Sequence, residues 1–193
     1  MNGGIFIYES NRDCILQISF SLYLIFLSFN QSSVTQSGVV EESMLLKKYR
    51  FGFDVWALVL FFIIMIPNFV WFVVPAPNDI LRGESITKTV DVIASICQVL
   101  MVTSLCIFIH QDCRKISITR FMMATIICCL LYFLCWIFYY VGVTNAIVIL
   151  GLTIFPCLAF LFFTIDRKNM IAVVPISIFM ICHLIYGIVN YII

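Results

Sequence analysis

From Val55 to Val74 the chain runs VWALVLFFIIMIPNFVWFVV, twenty residues without a charge. About 20 apolar residues is the length at which an α-helix crosses the hydrocarbon core of a bilayer. Inside lipid every backbone polar group needs an internal partner, so such a run reads as a helix rather than an open strand. Four further apolar runs follow, and the five expected helices cover about 54–74, 89–109, 121–141, 146–165 and 170–192. The links PAPNDILRGESITK, HQDCRKISITR, VGVTN and DRKN between them are too short for an extramembrane domain. Short links also make consecutive helices antiparallel neighbours. The expected fold is all-α, a polytopic transmembrane helix bundle. Thr87 or Ser85 is placed to cap the second helix, and Asn145 or Thr144 the fourth.

Composition agrees, since 63% of the residues are hydrophobic and only 11% charged. A soluble domain carries roughly 45–50% and about 25%. The formal net charge of +1 and the lack of a basic stripe argue against nucleic acid as a partner. The lipid bilayer is the partner the residues imply.

Positive residues orient the bundle. Lys47, Lys48, Arg50, Arg114, Lys115, Arg120, Arg167 and Lys168 fall on one side, and Arg82 and Lys88 on the other. That asymmetry predicts a bacterial cytoplasmic membrane with the Met44 side inside and the C-terminus outside. Trp71, Tyr139, Tyr140 and Tyr191 then lie near the outer interface, where aromatic residues collect.

Residues 1–43 admit three readings. Cys14–Phe29 is apolar but short, so it is an extra helix or the core of a signal peptide with Arg12 before it. The reading preferred here is a misassigned start. Met44 directly precedes the first strong helix, and Val40-Glu41-Glu42-Ser43 is compatible with a purine-rich ribosome-binding sequence.

Polar residues inside spans are costly, roughly 2.5–3.5 kcal/mol for a charge at a helix centre, so they mark where chemistry is sought. Pro67 removes a backbone donor and is expected to break or bend the first helix, with the amide of Asn68 beside it. Asp91, Ser95 and Gln98 share a face of the second helix, and His183, Tyr186 and Asn190 share one of the fifth. The orientation puts all three sets in the outer half. Asn68, Asp91, Ser95, Gln98, His183, Tyr186 and Asn190 are therefore the expected pocket, roofed by the segment 75–79, with Asp91 and His183 as a protonation-linked pair. The competing reading is a set of interhelical hydrogen bonds, each contributing about 0.6 kcal/mol to packing.

Seven of the nine cysteines lie in apolar runs, where Cys behaves as a small hydrophobe. Cys128 and Cys135 with Met122 and Met123 form a minor soft-metal alternative. No metal site and no cofactor are expected. HExxH, GxSxG, GxxxxGK[ST] and GxGxxG are absent, so no enzyme activity is expected. His110, Asp112 and Cys113 stand in a basic link and read as a solvated loop.

The run FDVWALVLFFIIMIPNFVWFVVPAPNDILR, with VDVIASICQVLM after it, resembles functionally unassigned small multi-pass membrane proteins of Gram-positive bacteria. The resemblance covers about Phe53 to Cys106, and PNFVW and PAPND are its distinctive pieces. It implies a bacterial inner membrane and no particular reaction. Five helices also suit the translocator-protein family, but that family's tryptophan-rich signature is missing. The leading expectation is a binder or transporter of a small solute, cationic or amphipathic, through an outward-facing pocket. An accessory or scaffold subunit of a larger complex is the alternative, and an intramembrane enzyme or redox protein a weaker one. An odd number of helices does not divide into two equal inverted repeats, so a transporter would pair as a homodimer or with other membrane subunits.

Overall fold

The computed structural model describes residues 48–113 and 117–193. The three readings of residues 1–43 lie outside the described residues. Among the described residues five long helices carry the fold: α1 (Val55–Val73), α2 (Lys88–Ile107), α3 (Arg120–Tyr140), α4 (Ala146–Asp166) and α5 (Met170–Tyr191). Each is long and apolar enough to cross a bilayer. The chain is a multi-pass membrane protein, and its helix ends fall within two residues of the expected ones. α1 stays helical across Pro67, so no break interrupts it there.

Side chains start four of the helices. Asp54 accepts from the backbone N–H groups of Trp56 and Ala57, Thr119 from Met122, Asn145 from Val148 and Asn169 from Ala172. Each fills an orphan donor of a first turn. Thr87 occupies the cap position of α2 without such a bond.

One element was not anticipated. Tyr49–Phe51 (β1) pairs antiparallel with Phe108–His110 (β2), Tyr49 opposite His110 and Phe51 opposite Phe108. Residues 108 and 109 had been expected as the end of the second helix, because Phe and Ile prolong its apolar run. The ribbon continues onto the helix itself. Gly52 N donates to Ile107 O at 3.0 Å and Asp54 N to Cys106 O at 2.8 Å. Carbonyls that a helix end leaves unpaired are thereby satisfied by the chain entering α1.

The helices pack mainly as α3 on α4, α4 on α5 and α5 on α2. α1 approaches α2, α3 and α4 less closely. α4 is the most buried span. Glycine lets it sit near its neighbours: a Cβ on Gly151 would collide with Cys135 Sγ on α3. At the α4–α5 contact, a Cβ on Gly187 would come within 2.9 Å of Thr153 Cγ2. Phe61, Met101, Tyr139, Ile149 and Ile176 are fully enclosed. Large apolar residues such as Leu130, Ile147 and Val174 point outward, the inverse of a soluble bundle. We call the end carrying β1, β2 and the 167–169 turn the ribbon end, and the end carrying residues 74–87, 141–145 and the C-terminus the far end.

Gly151→Val is expected to cost about 1–3 kcal/mol through overpacking. Thermal melting in detergent should show it as a lowered midpoint. An unchanged midpoint would mean that α3 and α4 separate without penalty.

Candidate functional site

Two of the three expected polar stripes meet, at the far end of the α2–α5 seam. Asn190 is the hub. Its amide nitrogen donates to Thr87 Oγ1 at 2.8 Å and to Tyr186 O at 2.9 Å, while its oxygen accepts from Ile86 N at 2.7 Å. Thr87 Oγ1 donates to Asp91 Oδ1 at 3.2 Å, and Ser95 Oγ donates to Asp91 O at 2.6 Å. Tyr191 donates to Leu81 O at 3.2 Å. With that proton committed, the contact between the Tyr186 and Tyr191 hydroxyls has Tyr186 as donor.

Deeper along the seam the polar groups are less well served. Gln98 is half-buried and makes no side-chain hydrogen bond among the described residues. His183 lies in an aromatic stack along α5, its ring 5.0 Å from Phe179 and 6.2 Å from Tyr186, nearly parallel to both. Neither a hydrogen bond nor an ion pair joins it to Asp91 among the described residues. The register fixed by Thr87 and Asn190 puts His183 about 10 Å and Gln98 about 16 Å below that end, at 1.5 Å per residue.

Asn68 belongs to a different contact. Its amide donates to Tyr132 Oη on α3 at 2.8 Å and to Ile64 O at 3.3 Å. The expected seven-residue set thus divides into an α2–α5 group and an α1–α3 pair. A single helix's periodicity reports which residues share a face, and not which neighbour that face meets.

The far-end loop has a centre of its own. Asp79 accepts from Trp71 Nε1 at 2.9 Å, Tyr139 Oη at 2.8 Å, Arg82 Nε at 2.7 Å and Ala76 N at 3.3 Å. Arg82 also donates to Trp71 O at 2.6 Å and lies 5.0 Å from the centre of the Trp71 ring. Tyr139 Oη accepts in turn from Leu81 N at 3.2 Å, and Tyr140 donates to Val74 O at 2.7 Å. The expected roof, 75–79, is therefore stitched to α1 and α3 through Asp79, and Leu81 and Ile86 beyond it reach α5. Asp79 and Arg82 stand at i, i+3, the one trace of this cluster visible in sequence.

At the ribbon end Arg167 binds Asp54 Oδ2 through Nε at 2.9 Å and Nη2 at 2.8 Å. Asn169, 2% exposed, donates to Ser104 O at 3.0 Å and Phe108 O at 2.8 Å. Thr119 donates to Asp166. His110, expected in a solvated loop, sits in β2 with its ring edge-on to Tyr49 at 5.2 Å. Burial raises the Cys113 thiol above its ordinary pKa, with Arg167 and Arg50 partly opposing the shift. Among the described residues no three His, Cys, Asp or Glu side chains gather to hold a metal ion. Comparison with family models, curated proteins and solved structures gives no match.

Asp79→Asn should leave Arg82 partly buried without its ion-pair partner, a cost of about 1–3 kcal/mol. Melting in detergent is expected to fall and proteolysis within 75–87 to quicken. If both stay at wild-type values, the loop is held by its other contacts.

Proposed function

We propose that the chain binds a small lipophilic cation along the α2–α5 seam, from the far end inward. The observation that carries this reading is the pair Gln98 and His183, which have no hydrogen-bond partner among the described residues although they stand within membrane spans. Unpaired polar groups are expensive there, and a bound molecule would serve them. Asp91 at the head of the seam supplies negative charge. Dodecylammonium, a lipophilic cation whose N–H groups can donate to Gln98 and His183, is the probe. Equilibrium binding to the purified chain should weaken at least fivefold in Asp91→Asn and in Gln98→Leu, with melting midpoints near wild type. Binding unaffected by either substitution would overturn the seam as its site.

The scaffold reading draws on Asn68–Tyr132 and Asn190–Thr87, which use polar groups to join helices. Copurification of fixed partners in mild detergent, with no binding of the probe, would favour it.

We further propose that the ribbon end faces the cytoplasm of a bacterial cell and the far end the outside. The eight-to-two division of Lys and Arg supports this. Of the two cations at the far end, Arg82 is neutralised by Asp79 at 2.7 Å. Fusion of alkaline phosphatase after Ile193 should give an active enzyme, and fusion of a fluorescent protein there a dark one. The reverse pattern would invert the topology.

A further inference from the structure

We propose that an anionic phospholipid docks at the ribbon end, with its phosphate in the cleft between the β1–β2 ribbon and the first turn of α1. The cleft encloses about 320 Å³ and is lined by Arg50, Phe53, Asp54, Trp56, Ile109 and Arg167, among others. Among the described residues that line it, two guanidinium groups accompany one carboxylate, one positive charge in excess. The carboxylate is already committed. Asp54 Oδ1 receives the N–H groups of Trp56 and Ala57, and Oδ2 receives Arg167.

Arg50 supplies the excess. It is exposed on the ribbon at the mouth of the cleft, and planar guanidinium groups bind phosphate oxygens in pairs. Trp56, 55% exposed on the first turn of the span, stands where indoles settle at a headgroup boundary. The surface below is what separates a lipid from a free anion. Val55, Val59, Phe62 and Ile66 are all exposed and follow one another down α1 at helical spacing. They form an apolar track about 16 Å long that begins at the cleft, suited to an acyl chain and of no use to inorganic phosphate.

The test uses the full chain in uncharged maltoside micelles, titrated with phosphatidylglycerol, with phosphatidylcholine and with inorganic phosphate. Native mass spectrometry reads occupancy, and thermal melting reads stabilisation. Phosphatidylglycerol should bind at least fivefold more tightly than phosphatidylcholine, and added salt should narrow the gap. Arg50→Gln should lower phosphatidylglycerol affinity about fivefold, the scale of one cation near an anionic surface. Arg50→Lys should keep most of it. Equal affinity for the two lipids in the wild type overturns the proposal whatever the variants do. So does an Arg50→Gln protein that melts normally and binds phosphatidylglycerol as tightly as the wild type. Stabilisation by inorganic phosphate equal to that by the lipid would assign the cleft to the free anion and overturn the lipid as occupant.

Discussion

The carboxylate of Asp54 is the point on which the ribbon end depends. One oxygen caps α1, the other receives Arg167 from the turn between α4 and α5, and the same residue's N–H reaches the last turn of α2. Desolvation offsets much of the attraction within a buried ion pair, so its net contribution to stability is small. Its effect here is geometric. α1 is the helix with the least intimate packing, and Asp54 is where it meets both α2 and the α4–α5 turn. Loss of either partner would leave the other charge enclosed without compensation.

A second aspartate does the same work just beyond the other end of the helix. Asp79 gathers the Trp71 indole, an arginine, a backbone N–H and the Tyr139 hydroxyl, while Arg82 takes a carbonyl of the last turn of α1. α1 is thus an apolar rod held by a carboxylate–guanidinium pair at each end. The hydrocarbon core supplies no hydrogen bonds, so helix termini that reach it must find partners in the protein. Here Gly52, Asp54, Arg82, Tyr140 and Asn169 donate to terminal carbonyls of α1 and α2 or to the residues just after them.

The helices were legible because charge-free runs of about twenty residues admit few other structures. One helix start was marked as well, Asn145 being a cap foreseen in the sequence. The ribbon was not, since Phe108 and Ile109 extend the apolar run of α2 and conceal the change of backbone. In the polar site, Asp91 with Ser95 and Tyr186 with Asn190 were visible through helical spacing, and the two stripes do meet. The partner of Asn68 was not visible, because the lateral order of helices leaves no trace in any one of them. Arg167 lies 113 residues from Asp54, and Asp166 lies 47 from Thr119. Pairings at such separations carry no local signature.

The same separations set an order on biosynthesis. Translation delivers α1 to the membrane before the partners on other elements that anchor its first turn. The strand that completes the ribbon arrives only after α2, and Arg167 only after α4. Until then the first span is inserted but laterally unanchored, so a chain truncated before residue 167 would contain α1 without the contact that tells it where to stand.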